Sequence, residues 1–75
     1  MPKLPRITGD TACAAFAKAG YECCRVHGSH HILKHEGKRE RLSIPVHGDR
    51  ILGAGLLRSQ IRIAGLTDEE FVALL

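Results

Sequence analysis

The stretch "VHGSHHILKHEG", residues 26–37, holds His27, His30, His31 and His35, four of the five histidines in the chain. An imidazole exchanges its proton close to neutral pH, so it can act as general base or general acid, and its free nitrogen can ligate a metal. Three readings of the stretch therefore compete: a catalytic site, a metal site and a polar strand rich in histidine. Zinc has the donors it needs in Cys24-x-x-His27 with His30, His31 or His35. Structural zinc sites, however, use two well-spaced ligand pairs, and the adjacent Cys23 and Cys24 do not form a Cys-x-x-Cys knuckle. Gly28-Ser29 precedes the His-His pair. A glycine there lets backbone approach a phosphate, and a serine can donate a hydrogen bond to it; a plain turn explains Gly28 equally well.

The elements that must position these side chains follow from pattern. Residues 1–7 read as an extended arm kept off helix by Pro2 and Pro5. Thr8 is a candidate N-cap, with Asp10 at the positive end of a helix running from about Gly9 to Ala19. Ala12, Ala15, Phe16 and Ala19 share one face of it, and Gly20 stands at its left-handed end. Tyr21–Val26 and His30–Lys34 read as strands, Glu36-Gly37 as a short hairpin turn, and Glu40–Val46 as a third strand. In that third strand Leu42, Ile44 and Val46 alternate against Arg41, Ser43 and Pro45, so the apolar set should meet the helices. A second helix covers about Ala54–Ala64, with Leu57, Ile61 and Ala64 inward and Gly65 as its stop. Thr67-Asp68-Glu69-Glu70 is a capping-box start to a short terminal helix over 67–75. Strand alternation sends His30 and His31 to opposite faces, so only one of the pair belongs easily to a given site.

Size and charge bound the answer further. Seventy-five residues make one domain, and a chain this short buries only about 60% of its unfolded surface. A partner covering part of it would add stability. The formal charge is +3. Between Arg25 and Arg62 there are eight Lys/Arg against three acids, while Asp68-Glu69-Glu70 gathers much of the remaining acid. A basic surface around polar strands suits a phosphate backbone, although a solvated charged face accounts for it as well. No apolar run approaches the ~18 residues of a membrane span. An odd count of three cysteines, two of them adjacent, reads as reduced thiols in a cytoplasmic protein.

The order α-β-β-β-α is that of a double-stranded-RNA-binding-like fold: α+β, a three-stranded antiparallel sheet with helices on one face. More specifically, the chain resembles the HicA family of bacterial mRNA-interferase toxins over nearly its whole length. "LPRITG" before the first helix, "AG-Y" at its end, "GSHHI--H-G" across the hairpin, "IPVHG" on the third strand, "G-LRS--R-AGL" through the second helix and "LTDEEF" at the end match in order and spacing. The hairpin motif and "PVHG" together carry most of the specificity. Thr11, Ala54, Leu56 and the Cys23-Cys24 pair depart from the family pattern, where Glu, Pro, Thr and larger apolar residues are common.

The resemblance implies a metal-independent endoribonuclease without a cofactor, cutting mRNA with His30 as the catalytic imidazole. Gly28, Ser29, His31, Lys34, Arg41 and His47 are then candidates for RNA contact, with Arg25 as a further phosphate-facing cation. His47 can equally cap the second helix or carry the second proton, and His27 and His35 read as solvated. The implied partners are mRNA and a HicB-type antitoxin, with operator DNA contacted only through the antitoxin complex and no membrane. A non-catalytic double-stranded-RNA-binding module is the alternative, and the intact "GSHH" is the feature against it.

Overall fold

Thr8 starts the first helix. In the computed structural model, which describes residues 4–75, its backbone is extended (φ −82°, ψ 166°) and its hydroxyl accepts from the Thr11 N–H at 3.3 Å. The remainder of the expected arm, residues 1–3, lies outside the described residues. Helix α1 spans Gly9–Lys18 and buries Ala12, Ala15 and Phe16. Small side chains bring it close to the sheet. At Gly9 an added Cβ would collide with the Pro45 carbonyl oxygen, so the first turn of α1 lies directly on the end of the third strand. Gly20, at φ +99°, reverses the chain, and a Cβ there would come within 2.8 Å of His35 Nε2.

The sheet follows as β1 (Tyr21–His27), β2 (His30–His35) and β3 (Leu42–Pro45), antiparallel in the order β1-β2-β3. The register pairs Cys23 with Leu33 and Leu33 with Leu42, and likewise Val26 with His31 and His31 with Ile44. Directly paired residues share a face. Tyr21, Leu33, Leu42 and Ile44 are buried beneath the helices, and Val46 packs against them. The expected alternation of the third strand is therefore observed. That strand begins only at Leu42, however. A tight turn does form at Glu36-Gly37, closed by the Lys38 N–H on the His35 carbonyl (3.1 Å), but residues 38–41 follow it outside the sheet, so it does not join β2 directly to β3 and no strand starts at Glu40. Lys38-Arg39-Glu40-Arg41 is a run of charge without an apolar residue to hold it on the sheet.

Helix α2 (Ala54–Ile63) buries Leu57 and Ile61 and lies along the outer edge of β3. There the Gln60 side-chain oxygen accepts from the Ser43 N–H at 3.0 Å, satisfying a ladder donor that the sheet leaves open. Helix α3 (Asp68–Val72) starts with the complete Thr67/Glu70 capping box and sets Phe71 against Phe16, ring centres 4.9 Å apart. Arg58 and Asp68, 3.5 Å apart, link α2 to α3 at the surface. The architecture is thus α+β in the order α-β-β-β-α with a short additional helix, and the core lies on one face of the sheet. Among the described residues the other face carries no helix.

Candidate active site

Gly28 and Ser29 form a two-residue turn between His27 and His30, which face each other across the hairpin. Gly28 has φ +63° and is the only one of the two with positive φ, the pattern of a type II′ turn. Space around it is open. The Ser29 carbonyl accepts from the Val46 N–H at 2.7 Å, which ties the turn to the end of β3.

This register decides what surrounds His30. It pairs with His27 on one side and Pro45 on the other, so all three side chains stand on the open face. The next row is Arg25, Ile32 and Ser43, and the row beyond it holds Glu22 and Lys34. Past Pro45 the chain turns back and creates a groove of about 350 Å³, lined by His30, Pro45, His47, Arg50, Ile51 and Leu56 among others. A more open depression of about 340 Å³ covers Arg25, His27, His30, Ile32 and Ser43. His30 belongs to both. The groove wall is held from the far end of the chain, because the Leu52 N–H donates to the Ile7 carbonyl at 2.8 Å and Thr8 bridges Ile51. Gly53, at the start of α2, borders the groove as well. No side chain caps that helix and its first turn holds no acid, so its dipole adds to the positive potential of Arg50.

The residues singled out by sequence divide accordingly. His30 and His47 meet at the groove. Lys34 shares the open face with His30 but lies four strand residues away, about 13 Å, so the two cannot serve the same phosphate. Gly28 and Ser29 are at the hairpin tip beside His30. Arg41 precedes β3 at the opposite end of the sheet and is exposed. His31 turns to the helix face, half-buried, with Nδ1 3.9 Å from Cys23 Sγ. His35 is not a solvated bystander. Its Nδ1 accepts the Gly37 N–H at 3.0 Å and its ring packs edge-on to Tyr21, centres 5.1 Å apart, so it braces the 36–41 connection. Arg50, Pro45, Ile51 and Leu56 escaped the sequence reading. Only the register of Pro45 against His30 and the fold-back of residues 46–53 bring them to the imidazole.

Cys23 and Cys24 are exposed on β1, next to an irregularity in the ladder between Cys23 and Arg25, and neither fills the core. Burial, with smaller contributions from Cys23 and Asp10, pushes the Cys13 thiol from its ordinary 9.0 up to about 11. Among the described residues no three His, Cys, Asp or Glu side chains gather as a metal-ligand set, since strand alternation divides the donors between the two faces.

A family model, the HicA toxin of bacterial toxin–antitoxin, matches residues 9–66, which contain α1, all three strands, the groove and α2. The chain belongs to the HicA toxin family. No curated protein matches it. As a HicA-family toxin it is one half of a toxin–antitoxin pair, and an antitoxin is its partner. No helix among the described residues is long and apolar enough to cross a membrane.

Proposed function

We propose that this HicA-family toxin is a metal-independent endoribonuclease that cuts mRNA in the cytoplasm and so stops translation, with His30 as its working imidazole. The observation that carries this reading is the position of His30: of the three histidines on β2, it alone opens both to the sheet's free face and to the groove. Cleavage of RNA by its own 2′-hydroxyl needs a base for that proton, an acid for the departing 5′-oxygen and positive charge near the phosphate. In this reading His30 carries one of the protons. The 2′-oxygen forms its bond to phosphorus as the bond to the 5′-oxygen breaks. Arg25 and Arg50, on either side of His30, stabilise the added charge. Gly28, Ser29, Lys34, Arg41 and His47 remain the proposed RNA contacts, with Gly28, Ser29 and His47 beside the scissile phosphate and Lys34 at a neighbouring one, while His31, turned to the helix face, is proposed as a packing residue.

The antitoxin, in this reading of HicB type, screens the His30 groove and shares in repression of the pair's own operon, touching operator DNA only as the complex. The test is incubation of wild-type and His30→Ala protein with a long mRNA in excess EDTA. Cleavage by wild type alone supports the assignment. Equal cleavage by both overturns it for His30. RNA binding without cleavage by either replaces the nuclease with a binding module.

A further inference from the structure

We propose that the groove beside His30 is a seat for one unpaired nucleobase, and that Leu56 is its main apolar contact; the proposal rests on the ribonuclease reading. Leu56 and Ile51 are exposed at 38% and 40%, yet they stand next to a histidine and an arginine in a surface of net positive charge. Neither belongs to the buried core. With Pro45 they give the groove apolar lining, while His30, His47 and Arg50 add polar and cationic groups to it. That combination fits a nucleotide, whose base has apolar faces and whose phosphate is anionic. The volume, about 350 Å³, lies at the lower end of small-ligand sites, which run from roughly 300 Å³ upward. A duplex is too wide for it.

The rest of the surface points the same way. Recognition of a duplex needs cations aligned along phosphates on both sides of a groove. The exposed face of α1 offers Asp10, Thr11, Ala14, Ala17 and Lys18, a single cation. The first turn of α2 offers none. The cations close to His30 are Arg50, which lines the seat, and Arg25, which lines the adjoining depression. A base seated against Leu56 therefore has its own phosphates near those two guanidiniums, and the backbone bond beside it near His30. Base pairing and seating compete for the same base, so the substrate is RNA that is locally unpaired.

One RNA is offered to wild-type protein as a single strand and annealed to its complement, and to Leu56→Ala, which removes exposed atoms from a helix and leaves the core intact. The single strand should be cut at least about tenfold faster, because extruding a base from a duplex costs free energy that unpaired RNA does not spend. Leu56→Ala should raise KM about fivefold with kcat nearly unchanged. His30→Ala protein should bind the uncut single strand, and adding Leu56→Ala should weaken that binding by the same factor. Equal cutting of both forms, or an unchanged KM, overturns the seat and leaves the nuclease standing. If wild type cuts neither form while binding of the single strand still depends on Leu56, the nuclease reading falls and the seat stands. Binding that prefers the duplex, or that ignores Leu56, overturns the seat.

Discussion

The two faces of β2 carry the same residue type to opposite ends. On the helix face His31 and His35 are half-buried, one beside a thiol and the other accepting a backbone N–H and leaning on Tyr21. On the open face the His30 imidazole makes no hydrogen bond among the described residues, and two concavities meet at it. A histidine whose nitrogens are engaged by the fold is a structural part. One whose nitrogens are left to solvent beside cations is available for chemistry. Histidine-rich composition carries no such distinction; the ladder register makes it.

The largest test of that contrast exchanges the neighbours one at a time. His30→Ala should lower the rate of mRNA cleavage about 100- to 10,000-fold without moving the thermal midpoint. His31→Ala should do the reverse, lowering the midpoint while cleavage stays within about threefold. Similar losses of cleavage from both would break the two-face picture. Next comes the helix face itself: Leu33, only 2% exposed, should cost about 2–5 kcal/mol on change to Ala. That is much of the stability of so small a chain, and urea unfolding measures it.

On the open face Lys34→Ala should leave the fold unchanged and reduce the slope of log K against log salt by about 0.7 for single-stranded RNA; an unaltered slope removes Lys34 from the RNA surface. A smaller effect concerns Tyr21, whose hydroxyl is buried without a partner among the described residues and whose ionisation is held up, first by that burial and then by Glu40. Tyr21→Phe should leave stability unchanged or raise it by up to about 1 kcal/mol, since an unsatisfied polar group is removed; a marked loss would reveal an unseen partner. Smallest is a difference in reactivity. With Cys13 raised to about 11, its thiol stays neutral near pH ~8. Alkylation of native protein should modify Cys23 and Cys24 first and reach Cys13 only on unfolding. By the same shift, Cys13 adds stability that fades as pH climbs past 9.0, where the unfolded thiol ionises and the folded one does not.

Much of the scaffold was legible in the sequence because single residues carry it. Thr8, Gly20 and Thr67 mark helix ends through their own side chains or φ angles. Leu42, Ile44 and Val46 declare a strand face by alternation alone. The separation of His30 from His31 follows from the same period of two. What stayed hidden depends on contacts between distant segments. Glu36-Gly37 makes the tight turn its composition suggests, yet the chain rejoins the sheet only at Leu42. His35 looks polar and exposed until Gly20 and Tyr21 are brought against it. The groove is the clearest case, for Arg50 and Leu56 lie twenty or more residues from His30 and reach it only through the return of the chain after β3.

The tether between the arm and the groove wall has a bearing on when the molecule becomes dangerous to its maker. Ile7 holds Leu52, Thr8 holds Ile51, and Ser29 holds Val46, so the groove is assembled from the beginning, the middle and the later part of the chain. A growing polypeptide that has reached only β3 owns the histidine but not the cleft. On the ribonuclease reading, a chain cut short before Leu56 would carry the imidazole without the cleft that serves it.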